Sequence, residues 1–333
     1  MPTSQLRDVG PGKPETSLQI PYRSATLRIR RVATTTHPAG AAANACSIQR
    51  PNPLILWHLL SLDAPTVAAL WTWFLARANR IELPATAVIA MAVAVWMLYA
   101  ADRLLDARLL DGPHVHAAHD LEARHLFHHR NRRAFRFGIV LASLALAMLL
   151  PRIEPKSIHL YLVLGGLLAG YFVLIHLYDE PRSPSQKASR LPKELAVGIF
   201  FSAAAFIPTV ARQPGLRLTL LPGAILFAAL CSLNCLFIYA WEHTADSPNT
   251  HPATRVALRW LPDLAVAAVA CSLLVAIADH ALPWQIALAC ALATGLLLLL
   301  HRNRLRFAPT SLRAAADLCL LTPMLLLTTL HHL

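Results

Sequence analysis

The sequence predicts an all-α integral membrane protein, a bundle of about nine transmembrane helices with a cytoplasmic amino terminus. Of its 333 residues 56% are hydrophobic and 14% charged, whereas a soluble domain carries about a quarter charged residues, and mean hydropathy is +0.48. Beyond Asn52, apolar stretches long enough to cross roughly 30 Å of hydrocarbon, about 20 helical residues each, follow one another. Lys and Arg, 30 against 18 Asp and Glu, flank those stretches. This argues against a soluble enzyme, a disordered tail protein and a secreted disulfide scaffold. The six cysteines form no CxxC pair and mostly sit in apolar runs, where a thiol behaves as a small hydrophobe. A pI near 10 would ordinarily suggest nucleic acid, but basic residues flanking spans serve membrane orientation instead. The bilayer is the expected partner, and nucleic acid is not.

Residues 1–52 are rich in Pro, Ser, Thr, Ala and Arg, without sustained periodicity or an apolar run of signal-peptide length. They read as a disordered basic cytoplasmic tail preceding a membrane domain at 53–333. The nine expected spans are 54–76, 84–106, 136–150, 158–178, 194–211, 219–241, 260–279, 284–300 and 312–330, the third starting nearer Arg133. With the tail inside, successive inner segments hold seven, seven, four, two and four Lys and Arg, 24 of the 30, and the outer segments hold six. That bias sets the orientation. It puts the carboxyl terminus outside and, for a bacterial inner membrane, a site at the inner ends of the helices in the cytoplasm.

Ionisable groups within or beside spans are costly and therefore informative. The second span closes with Tyr99-Ala-Ala-Asp102-Arg103-Leu-Leu-Asp106, two carboxylates at i, i+4 on one helix face. The sixth closes with Asn234, Ile238, Glu242 and Asp246 at four-residue steps. The two clusters follow even-numbered spans and lie 140 residues apart from Asp102 to Glu242, so the same orientation recurs as in parallel repeats. Tyr178-Asp179-Glu180 ends the fourth span, and Arg182, Lys187, Arg190 and Lys193 lead into the fifth. Acids and bases gathered on one inner surface suit a multiply charged anion held through a metal ion. Hard carboxylate oxygens favour Mg²⁺, while Arg and Lys grip the remaining phosphate oxygens. An isoprenoid diphosphate would lay its tail among the spans. Metal and basic groups would then stabilise the departing diphosphate, and faces such as Tyr99, Trp96, Phe237 or Trp241 an allylic cation.

With YAADRLLD at Asp102 and Asp106 and YAWEHTAD at Glu242 and Asp246, the chain resembles the UbiA superfamily of intramembrane prenyltransferases over residues 54–330. The family's first motif has Asn where this chain has Leu98, and its second opens with Asp where Glu242 stands. The resemblance implies a nine-helix bundle with Asp-rich motifs after the second and sixth helices. It also implies transfer of a prenyl group from a polyprenyl diphosphate to an aromatic or other lipophilic acceptor, commonly with Mg²⁺. On this reading Asp102, Asp106, Glu242 and Asp246 are the catalytic and metal-binding residues. Lys193, between the fourth and fifth helices, looks like the family's basic residue there. Tyr178, Arg124, Arg130, Tyr99, Asn234 and Asp63 complete the candidate substrate-binding set.

Other readings stand beside these. In one, Asp102 is matched by Arg103 or Arg108, and Glu242 by His243, as ordinary solvated helix ends. Arg313 and Asp317, one turn apart, read as an ordinary pair. Asp63 sits in Ser61-Leu-Asp63-Ala-Pro65, where a proline loosens the backbone. It is also the one plausible coupling charge for a transporter. The loop carrying His114, His116, His119, His125, His128 and His129 matches no closed zinc pattern. It reads as a basic loop that helps bind diphosphate or as a solvated, membrane-facing charge run. The alternative function is a non-catalytic membrane binder or carrier of a lipid diphosphate or metal.

Overall fold

The computed structural model describes residues 53–108, 127, 128, 130–177, 191–243 and 250–330, and within these every regular element is helical. The expected tail at 1–52 lies outside the described residues.

The first expected span is broken. A short helix α1, Pro53–Leu59, meets α2, Asp63–Ala78, at an 89° bend. At the corner Ser61 takes a φ of 55°, left-handed backbone that a residue with a Cβ adopts only under strain. Pro65 is not the cause. It lies in the first turn of α2, where an amide N–H has no helical partner to lose.

Helix α3 runs Ala85–Arg108, α4 Arg132–Leu149 and α5 Pro155–Leu177, the last opening on a proline whose fixed φ suits a first turn. Helices α6, Lys193–Arg212, and α7, Leu221–Glu242, form a tight hairpin. A short amphipathic α8, Pro252–Arg259, leads into α9, Leu261–Ala278, which pairs with α10, Trp284–Arg302. Helix α11, Pro309–Cys319, bends by 40° into a 3₁₀ turn, Thr322–Leu326, and a final turn α12, Leu327–Leu330.

Among the described residues six unbroken helices are long and apolar enough to cross a membrane, and up to eight if each bent pair is one span. Within the described residues the expected segments fall on helical stretches, but the first and last are angled pairs. A straight-span reading of composition cannot see a corner that costs only three residues.

Lipid is as apolar as leucine, so these helices are held by close packing and polar contacts rather than by burial from water. Gly198 on α6 shows the first device. A Cβ there would lie 2.1 Å from Ser232 Oγ and 2.5 Å from the Ala228 carbonyl on α7, so only glycine allows this approach. The second device is polar. Ser202 Oγ donates to the Ala224 carbonyl (2.8 Å) and Trp71 Nε1 to the Leu320 carbonyl (2.8 Å), beside the Trp71–Phe227 stack at 4.1 Å. Outward faces carry large apolar side chains such as Met148, Leu162 and Leu274, each more than 60% exposed, as a lipid-facing surface requires.

Candidate functional site

Residues five apart on a straight helix point about 140° away from one another. The corner between α1 and α2 removes that separation for His58 and Asp63. His58 Nδ1 lies 2.6 Å from Asp63 Oδ2, and both residues are 3% exposed. Two neighbours pin the corner. Trp96 Nε1 of α3 donates to the Leu60 carbonyl (3.1 Å), and Ser61 Oγ lies 3.3 Å from His128 Nε2. The other Asp63 oxygen accepts the Ala64 N–H at 3.0 Å.

Helix α11 packs against α1, α2 and α7 and carries Asp317 into the same place. The donor atoms of His58, Asp63 and Asp317 all lie within 4.8 Å of one another, with His58 Nδ1 3.8 Å from Asp317 Oδ2. From α7, Asn234 Nδ2 donates to Asp317 Oδ1 at 3.1 Å, while Asn234 Oδ1 is buried and meets no donor among the described residues. Two unit negative charges at that spacing repel by about 3 kcal/mol at an effective dielectric near 20. Positive charge must therefore enter this cluster if both carboxylates are ionised. His58 can supply one.

One turn outward on α11, Arg313 Nη1 donates to Glu242 Oε1 at 2.6 Å. Helices α7 and α11 are thus joined by two polar rungs, Asn234 with Asp317 and Glu242 with Arg313. Eight residues separate Asn234 from Glu242, so the inner rung lies about 12 Å along α7 from its end.

An apolar cavity of 340 Å³ opens between α3, α4, α5 and α6, lined by Met91, Leu98, Leu146, Leu168 and Phe201 among others. Tyr99 and Tyr161 are in its wall. Tyr161 donates its hydroxyl to the Ala204 carbonyl at 3.2 Å. Tyr99 lies within electrostatic reach of Asp63, Asp317 and Arg103. Arg103, four residues on along α3, is 7% exposed.

Of the residues expected from sequence, Asn234 and Asp63 meet in this cluster and Tyr99 lies in the cavity wall. Asp102 is exposed at the last turns of α3 and has a partner there. Glu242 ends α7 in its pair with Arg313, while Lys193 begins α6 with an exposed side chain and Arg130 is exposed. The side chain of Asp106, and Asp246, Tyr178 and Arg124 altogether, lie outside the described residues. So do the loop histidines other than His128.

Two expectations are corrected. Arg313 pairs with Glu242 rather than with Asp317, because α7 presents a carboxylate within its reach. The His243 ring stacks on Tyr239 at 4.5 Å. His128, placed by sequence in a solvated or phosphate-binding loop, is fully buried against Phe135, 4.2 Å between ring centroids, and holds the Ser61 corner.

Sequence reasoning missed His58 and assigned Asp317 elsewhere. The available signal was His58 five residues before an intramembrane Asp63, a spacing that joins them only if the helix breaks between them. No family model matches the chain, and no curated protein or solved structure does either.

Proposed function

We propose that this protein is a multi-pass membrane enzyme of the UbiA-like kind, with nine spans and a cytoplasmic amino terminus, that transfers a prenyl group from a polyprenyl diphosphate to an aromatic or other lipophilic acceptor. The observation that carries the reading is the 340 Å³ apolar cavity whose wall includes Tyr99, a residue also in the field of Asp63, Asp317 and Arg103. A volume above about 300 Å³ suits a small ligand. A lipid chain lying in the cavity, with its diphosphate head toward the Arg103 end of α3, suits this apolar lining. Resemblance through YAADRLLD and YAWEHTAD supplies the reaction class.

In this reading Asp102, Asp106, Glu242 and Asp246 would hold Mg²⁺, whose preference for carboxylate oxygens fits these four side chains. When bound, it supplies Lewis-acid stabilisation of the leaving diphosphate. Lys193, Arg124 and Arg130 contribute positive charge to the phosphate oxygens, and Tyr178 contributes a hydroxyl. The carbon–oxygen bond of the donor breaks, and diphosphate leaves with the electron pair. Tyr99 presents an aromatic face to the allylic cation. The acceptor's nucleophilic atom then forms the new bond and gives up its proton to water or to the released diphosphate, and in this reading Asn234 and Asp63 would hydrogen-bond the acceptor. The reaction would take place at the cytoplasmic face of a bacterial inner membrane.

A second reading, a non-catalytic binder or carrier of a lipid diphosphate or metal, draws support from the Glu242–Arg313 contact at 2.6 Å, which engages one of the four acids. One experiment separates the two. Purified protein receives labelled polyprenyl diphosphates of graded length, Mg²⁺ and lipid-extract acceptors, and products are read by mass spectrometry. A prenylated lipid formed by the wild type and lost in Asp102→Asn supports the enzyme. Retention of the diphosphate without any product assigns the protein to the carrier class.

A further inference from the structure

The buried cluster at the α1–α2 corner presents more acceptors than donors. The donor atoms of His58, Asp63 and Asp317 lie within 4.8 Å of one another, His58 Nδ1 faces both carboxylates, and the Asn234 amide joins them through Nδ2 on Asp317 Oδ1. One proton on Nδ1 serves a single acceptor. A proton shared by the carboxylates would relieve their repulsion, yet it would leave the Asn234 oxygen unmet.

That oxygen is the independent pointer. Asn234 is 7% exposed, its Oδ1 meets no donor among the described residues, and it is two covalent bonds from the amide nitrogen that contacts Asp317. Buried polar atoms are nearly always paired, and an orphan needs a cause. A cation accounts for the orphan oxygen, the crowded carboxylates and the imidazole together.

We propose that His58, Asp63, Asp317 and Asn234 form a binding site for one divalent first-row transition ion, Mn²⁺ or Zn²⁺. Three hard oxygens with one imidazole nitrogen exclude a soft, thiolate-seeking ion, and the nitrogen distinguishes the site from an oxygen-only Mg²⁺ site. Cys235 lies in the field of Asp317 but is outside the donor group.

The strained corner has a role under this assignment. Left-handed Ser61, held by Trp96 and His128, fixes His58 against Asp63 before any ion arrives. Preorganisation of this kind is what a metal site needs from its supporting residues. Backbone strain tends to gather at such places. The site is distinct from the helix-end acids, and it stands whether or not prenyl transfer occurs.

The test uses full-length protein in detergent, stripped with chelator and checked for a single size-exclusion peak. Mn²⁺ is titrated in the presence of excess Mg²⁺, which masks oxygen-only sites, and free Mn²⁺ is read by electron paramagnetic resonance. One Mn²⁺ per chain is expected, displaced by Zn²⁺. The bound ion should show nitrogen modulation from the His58 ring in pulsed spectra, and His58→Ala should abolish it.

Asp317→Asn and Asn234→Leu should each weaken binding at least about tenfold. Asn234→Asp, which keeps the shape and adds a charge, should tighten it. Stripped wild type that leaves added Mn²⁺ and Zn²⁺ free overturns the assignment. So does a bound ion without nitrogen modulation, or Asn234→Asp binding no differently from wild type.

Discussion

Asp102 and Glu242 stand at helix ends, where water, lipid headgroups and long basic side chains can meet a carboxylate, and Glu242 has found Arg313. Asp63 and Asp317 are the same functional group held by helices of similar composition. Yet they meet one another, a histidine and an amide about 12 Å further along α7. At the ends a charge is cheap to keep and easy to exchange for a ligand. In the interior it persists only with a fixed set of partners. Position along the helix therefore decides whether an acid can be spared for chemistry or is bound into the architecture.

The comparison breaks most visibly at Asp63. Asp63→Ala removes the acceptor of His58 and of the Ala64 N–H together, and loss of one partner of a buried charged pair costs about 3–5 kcal/mol. A large fall in the detergent melting temperature is expected. A melting temperature equal to wild type would mean that the corner stands without its ion pair.

Asp102→Asn should do the opposite. Stability should stay within about 0.5 kcal/mol, as for an exposed substitution. Prenyl transfer should fall by about a hundredfold or more, the scale of losing one group that stabilises developing charge. Unchanged turnover would remove the helix ends from the chemistry.

Gly198→Ala probes the packing that holds both regions in register. A methyl group 2.1 Å from Ser232 Oγ must push α6 from α7, at about 1–3 kcal/mol. Thermal unfolding reads the loss, and a Ser232→Gly partner change should recover part of it.

Arg313→Gln is the mildest change. The two side chains are 17% and 22% exposed, so solvent screens the pair only in part and about 1–2 kcal/mol is expected. Under the carrier reading, freeing Glu242 should instead increase Mg²⁺ uptake, measurable by calorimetry.

The membrane class could be read from the chain because hydrocarbon imposes a single long-range pattern: runs of apolar residues bounded by Lys and Arg. Helices such as Leu221–Glu242 and Trp284–Arg302 fall close to their expected limits for that reason. The break at Ser61 was hidden, since a left-handed residue leaves no trace in hydropathy and the nearby Pro65 drew attention to the wrong place. Asn234 and Asp63 stood out because polar side chains in spans are conspicuous one at a time. Their meeting with Asp317 depends on how α11 packs against α1 and α7, which pairs residues 83 apart in the chain. Local spacing favoured Arg313 for Asp317. Tertiary packing gave Arg313 to Glu242.

The proposed cleavage of a polyprenyl diphosphate, with its chain passed to a lipophilic acceptor, is tested by pyrophosphate release from purified protein. Release should require both Mg²⁺ and the acceptor, and should match the prenylated product mole for mole. A diphosphate that remains intact with every chain length and acceptor pool offered would contradict it.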